Sequence, residues 1–176
     1  LAMVSAKNSL HGSMNPRAQF RERLSVEDVL RAPMIAAPLT RPMCSPIGDG
    51  AAAVVLVSEK KAKAMGIAKP VRIVSSVLRS GWDHDADAPS AGDVASAEAY
   101  AAAGVGPADL DVVELHDASS FGEIMAYEYL GLCPKGAGGR LVADGTTTLG
   151  GTVTTGHGAV RTTRSATEPS SSRSNP

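Results

Sequence analysis

The sequence predicts an α/β fold on three observations. Segments 51–57 (AAAVVLV), 71–78 (VRIVSSVL) and 111–115 (DVVEL) have the length and apolar, β-branched character of strands. Segments with helical propensity or helix-start signals, 58–65, 93–103 and 120–130, alternate with them. The third strand runs directly into a polar turn, His116-Asp117, and a helix start, the place where α/β proteins put their chemistry.

Taken in order, residues 7–20 hold Gly12, Asn15 and Pro16 and predict an irregular surface loop. Ser25 followed three residues later by Asp28 has the form of a capping box. It predicts a short helix through Val29 and Leu30, stopped before Pro33. Four prolines and Cys44 between 33 and 46 argue against regular structure there. After the turn Ile47-Gly48-Asp49-Gly50, the unbroken apolar run 51–57 predicts a strand buried on both faces. The charged helix 58–65 ends at Gly66, suited to a left-handed cap. A boundary near 66–70 then divides the chain into 1–66, 67–151 and a tail, 152–176.

Residues 79–92 are polar, with Asp83, His84, Asp85 and Asp87 close together. They fit a metal site or a solvated loop; without a fixed partner elsewhere the loop is preferred, and no metal is assigned. A helix at 93–103 is expected to end on Gly104, and Ser120 with Glu123 reads as another capping box, opening a helix to Leu130 before Gly131. The glycines at 136, 138, 139, 145, 150 and 151 leave room for a ligand or a second backbone to approach. Residues 152–176 are rich in Ser and Thr and hold no Leu, Ile, Met or aromatic residue, which predicts disorder.

Composition narrows the function classes. The chain has 176 residues, 43% hydrophobic and 20% charged, enough for one globular domain. A net charge of −1 offers no basic field for nucleic acid. No apolar run reaches the length of a membrane span, and no export signal opens the chain. Cys44 and Cys133 are too few for a disulfide scaffold, so a reducing cytoplasm is the expected location. The opening at Leu1, in mid-segment, suggests a fragment.

His116 is the candidate catalytic residue. A histidine between a strand end and a helix N-terminus can donate a hydrogen bond to a carbonyl oxygen that becomes an oxyanion, or hold the water that does so. Taken alone, a histidine at a strand end also fits a purely structural role. Asp117 can set its tautomer, although neighbouring side chains rarely bond to each other. No other catalytic, substrate-binding or metal-ligating residue is assigned.

A long series of segments resembles the thiolase family, in the branch of sterol-carrier-protein thiolases and lipid-transfer proteins. It begins with Lys7-Asn8, Asn15-Pro16, Ala18-Gln19-Phe20 and residues 26–30 (VEDVL). Residues 44–56 (CSPIGDGAAAVVL) are similar to the last strand of the family's N-terminal half, and residues 112–118 (VVELHDA) to the motif carrying an active-site His. Residues 130–136 (LGLCPKG), Gly138-Gly139-Arg140 and 144–151 (DGTTTLGG) complete a match over roughly residues 5–152.

The resemblance implies an incomplete thiolase-like layered fold: the end of the N-terminal half plus most of the C-terminal half. It implies acyl transfer or carbon–carbon cleavage on acyl-CoA, in lipid or sterol side-chain metabolism. Coenzyme A thioester would be a substrate, not a resident cofactor, and a homo- or hetero-oligomer is expected. By this resemblance His116 belongs to the first oxyanion site.

The sequence departs from the family at three places. The family's nucleophilic cysteine lies upstream of Leu1, and Cys44 and Cys133 occupy other motifs. Ala118 stands where many members of the branch carry a second catalytic cysteine. Beyond Gly151 the family continues through an Asn-Pro-Ser-Gly-Gly loop to a Gly-His-Pro motif, whereas Thr152 leads into the Ser/Thr-rich tail and His157 comes early without the proline. A reading-frame shift near Thr152 would account for this. The expectation is an acyltransferase relative inactive as an isolated chain; the alternatives are a retro-aldol lyase on acyl-CoA and a non-catalytic CoA-thioester- or lipid-binding subunit. Apolar strands without sheet partners also predict poor solubility.

Overall fold

The structure, a computed structural model, describes residues 1–83, 85 and 87–156. Helix α1 spans Ala2–Met14, and α2 spans Val26–Arg31. Short strands β1 (Met34–Ala36) and β2 (Leu39–Thr40) pair antiparallel, and a 3-10 turn follows over Arg41–Met43. Helices α3 (Glu59–Ala64) and α4 (Ala91–Ala103) precede strand β3 (Val112–Val113). Helices α5 (Ser120–Tyr129) and α6 (Gly138–Ala143) lead to β4 (Thr154–Thr155), which pairs in parallel with β3.

Local chemistry sets most helix ends where the sequence placed them. The Ser25 hydroxyl accepts from the Asp28 amide at 3.1 Å while the Asp28 carboxylate accepts from the Ser25 amide at 2.9 Å, so the first capping box forms. Ser90 and Asp93 make the same reciprocal pair and start α4 two residues before its predicted start. Gly104, in the left-handed region at φ 68°, closes that helix.

Two apolar cores hold the elements together. One joins Val4 of α1 to Leu115, Ala126, Tyr127 and Val142. The other joins Ala2, Val29 and Met43 beneath α1, α2 and the 3-10 turn. Residues on both sides of the expected 66–70 boundary therefore share a core. Helix α6 lies against α5 because Gly138 has no side chain: a Cβ there would meet the Ile124 carbonyl oxygen at 2.7 Å.

Several expectations are corrected. Residues 7–14 are helical, because α1 turns Ser5, Lys7 and His11 inward and its buried face carries no apolar stripe to read. The prolines at 33–46 admit a short hairpin and a 3-10 turn. The cap of α5 is Ser119, which accepts from the Gly122 amide at 3.2 Å; Glu123 points into the interior. The segments 51–57 and 71–78 form no strand. They are exposed, Val55 at 88% and Val71 at 95%, because no described segment runs alongside to complete their backbone hydrogen bonds. Residues 152–156, assigned to the tail, enter the core instead: Val153, Thr154 and Thr155 are buried, and the Thr154 amide bonds the Asp111 carbonyl at 2.9 Å. Pairing with β3 orders a segment whose own composition does not. The rest of the expected tail, with His157, lies outside the described residues, as does His84.

Candidate functional site

Beyond β3 the chain continues through buried Leu115 and delivers His116, exposed, to the turn that opens α5. Two features support this turn from behind. The Ser45 amide donates to the Ala118 carbonyl at 3.0 Å, and Cys44 bridges Ser119 in antiparallel fashion, so the chain after the 3-10 turn braces it on one side. On the other side the Asn8 side-chain amide donates to Asp117 Oδ2 at 3.0 Å.

Asn8 belongs to a buried polar network that joins α1, α5 and β4. Its Nδ2 also donates to Glu123 Oε2 at 2.6 Å, and its Oδ1 accepts from Lys7 Nζ at 2.8 Å. Lys7 Nζ donates to Glu123 Oε1 at 2.6 Å and to the Thr155 carbonyl at 2.8 Å. Glu123 Oε1 further accepts from the Tyr127 hydroxyl at 2.5 Å and from Thr155 Oγ1 at 2.9 Å. Gly156, at φ 112°, lies directly over the Asn8 amide, where a Cβ would collide with Asn8 Oδ1.

Burial and charge act in opposite directions here. Burial pushes the Glu123 pKa up, but the Lys7 charge and the hydrogen bonds from Lys7, Tyr127 and Asn8 outweigh it, and the carboxyl lies below its usual range. Burial lowers Lys7, with Glu123 opposing. Burial and the Glu123 charge both push the Tyr127 hydroxyl up, which keeps it a donor.

His11 is buried one helical turn beyond Lys7. Its Nε2 accepts from the Leu149 amide at 3.1 Å, which places the proton on Nδ1, near the Thr155 backbone but without a well-formed bond. Burial first, then the Lys7 charge, push its pKa down to about 4.

The structure ties Asp117, the chain neighbour of exposed His116, to the network of Lys7, Asn8 and Glu123, and keeps other candidates apart. His116 does not line the cavity of about 340 Å³ in the glycine-rich segment, which is bounded by Asp144, Gly145, Thr146, Gly150, Gly151 and Thr152. Cys44 and Cys133 are free and half-buried. Burial, then Glu128, raise the Cys133 pKa and keep it a neutral thiol. Among the described residues no group of three or more His, Cys, Asp or Glu can hold a metal ion. None of their helices is long and apolar enough to cross a membrane.

Sequence reasoning missed Glu123, Tyr127, His11 and Thr155 as parts of this assembly. The i,i+4 spacing of Glu123 and Tyr127 on one helix face was the available signal. A capping-box reading of Glu123 hid it.

Fold and site together define a thiolase-like α/β domain. Residues 82–167 match the family described as thiolase C-terminal domain-like. Against the benzoylsuccinyl-CoA thiolase subunit BbsB of Thauera aromatica, the chain is 44% identical over 155 residues, which are 86% of this chain and 40% of that protein. It is 41% identical to an acetyl-CoA acetyltransferase of Methanothermobacter thermautotrophicus, covering 87% of this chain and 41% of that one. It is 37% identical to human (Homo sapiens) sterol carrier protein 2, covering 85% of this chain and 29% of that one. The Ltp2-ChsH2(DUF35) aldolase shares the fold, with a TM-score of 0.78 and 24% identity over 88% of this chain and 43% of the aldolase chain. Residues 82–167 carry a thiolase C-terminal domain-like match, and the relatives found are of the thiolase and sterol-carrier-protein type. It spans well under half the length of the relatives it matches.

Proposed function

We propose that this chain supplies one wall of a thiolase-type acyl-CoA site, with His116 as its contribution to the reacting centre. The observation that carries this reading is the placement of an exposed imidazole in the turn between β3, which ends at Val113, and the ten-residue helix α5, which starts at Ser120. A thioester carbonyl oxygen set there meets a histidine donor and the positive end of the helix dipole, both suited to developing negative charge. The reaction class is acyl transfer or carbon–carbon cleavage on a CoA thioester, with the acyl-CoA as substrate.

The chain alone binds without turnover. Acyl transfer needs an activated thiolate, and burial and Glu128 hold Cys133 as a neutral thiol. The site is completed in an oligomer, a reading supported by the Thauera relative's being named a subunit. Ala118 favours a second reading, a retro-aldol lyase, because that step needs a base and an oxyanion site but no second cysteine.

The experiment is to add acetoacetyl-CoA, with and without CoA, to the purified chain while following the His116 ring by NMR and free thiol by titration. His116 resonances are expected to shift with no CoA turnover, and His116→Ala to weaken binding. Product release without cysteine labelling would favour the lyase. An unperturbed His116 ring would overturn the assignment.

A further inference from the structure

We infer that residues 149–152 form a flap on the glycine-rich cavity and that His11 is its latch, letting the flap go when the imidazole takes up a proton. The cavity is lined by two stretches of chain, 144–146 and 150–152. The second stretch is tethered at both ends. Thr147 is buried, and its carbonyl accepts from the Thr155 amide at 3.1 Å; Val153 is buried, and its amide donates to the Thr146 carbonyl at 3.2 Å. Between these anchors the chain turns through Gly150, at φ 85° in the left-handed region, and the Gly151 amide closes the turn on the Thr148 carbonyl at 2.8 Å. Residues 149–152 are half-buried or exposed, so little apolar burial holds them down. Among the described residues they make one hydrogen bond to another element, from the Leu149 amide to His11 Nε2 on α1 at 3.1 Å.

That bond requires a neutral ring. His11 is 0% exposed, and its Nδ1 has no hydrogen-bond partner among the described residues. A proton on Nε2 would replace the acceptor with a donor aimed at the Leu149 N–H, and would leave a buried imidazolium with neither N–H bonded. Both penalties end when the flap lifts and water reaches the ring. The groups facing His11 do not cancel them. Lys7, one turn back on α1, opposes the second charge; Glu123 on α5 favours it but is already paired with Lys7. Tyr127 on α5 stays neutral, and β4 presents the Thr155 backbone. The flap itself carries no titratable side chain, and Asp144, across the cavity, is exposed. Closed, the ring titrates at about 4; opened to water, it returns to the ordinary 6.5. The open flap binds more protons across that window, so acid favours opening. None of this depends on the reading of His116.

The test is amide hydrogen exchange, followed by NMR on the full chain from pH 6.5 to pH 4.5, with the His11 ring titrated in the same samples. The protection factor of the Leu149 amide is expected to fall roughly fortyfold over this range, the ratio that titration at about 4 closed and 6.5 open requires. It should start below that of the Tyr127 amide in α5, which marks opening of the flap without unfolding of the core. In His11→Gln, whose side chain keeps an acceptor oxygen but does not titrate, the Leu149 protection factor should hold steady across the same range. A Leu149 amide that shares one protection factor with Tyr127 at every pH would mean release only by global unfolding, and would overturn the inference. So would a Leu149 amide that stays protected while the ring protonates, or an unchanged pH slope in His11→Gln. Should His11→Gln not fold, the comparison of Leu149 with Tyr127 in the wild-type chain decides by itself.

Discussion

Lys7 on α1 and Glu123 on α5, 116 residues apart in sequence, form a 2.6 Å ion pair whose side chains are 4% and 0% exposed. Neither charge has water to return to when the other is removed. Lys7→Met is expected to cost about 3–5 kcal/mol, because it leaves a buried carboxylate uncompensated. Replacing both with apolar residues of similar size, Lys7→Met with Glu123→Leu, should cost less than the two single changes added together. Urea unfolding of the four proteins checks this; strict additivity would mean the pair is not coupled.

Stability is expected to fall on acidification, with His11 the main source between pH 6.5 and about 4. The folded state holds this imidazole neutral down to about 4, while the unfolded chain takes up its proton near the ordinary histidine value of 6.5. The unfolded state therefore binds more protons across that window, and the gradient favours unfolding as pH drops. At roughly 1.4 kcal/mol per unit, the loss reaches about 3 kcal/mol. Glu123, with its folded pKa depressed, adds a further loss below the ordinary carboxyl range as pH falls through its folded value. Thermal melts from pH 7 to pH 4 should show the slope, and His11→Gln should remove its upper part.

Adjacent glycines in α6 should respond to alanine with opposite signs. A Cβ on Gly138 meets the Ile124 carbonyl oxygen at 2.7 Å and Ile124 Cγ2 at 2.9 Å, so α5 and α6 must separate. A loss of about 1–3 kcal/mol is expected. Gly139 has open space around its Cβ position, and alanine there should add about 0.5–1 kcal/mol through helix propensity. Denaturation midpoints of the two variants provide the comparison.

The exposed apolar segments predict self-association of the chain. Val54, Val55, Leu56, Ile73, Val74 and Leu78 all lie more than half exposed. Val55→Lys combined with Val74→Lys should lower concentration-dependent light scattering and leave the melting temperature unchanged, since neither side chain belongs to a core. A large drop in melting temperature would show that these segments pack after all.

Read from residues alone, α2, α3 and α4 emerge close to their observed bounds, because a capping hydroxyl, a favourable helical run and a terminal glycine act over a few residues. The position of His116, in the turn between β3 and α5, was legible for a similar reason. The polar network was not legible. Its members, Lys7, Asn8, Glu123, Tyr127 and Thr155, are individually ordinary surface residue types, and Glu123 carried a local signal for another role.

The amino-acid order by itself determined the thiolase kinship, the α/β class, the capping box of α2 and the glycine that closes α4, all of which depend on neighbours in the chain. Only the tertiary structure decided that residues 152–156 join the core, that 51–57 and 71–78 stay outside it, and that a lysine of α1 and a glutamate of α5 pair in the interior. A strand needs a partner to satisfy its backbone, and a buried charge needs its counter-ion. Both come from residues far along the chain, whose approach no local pattern encodes.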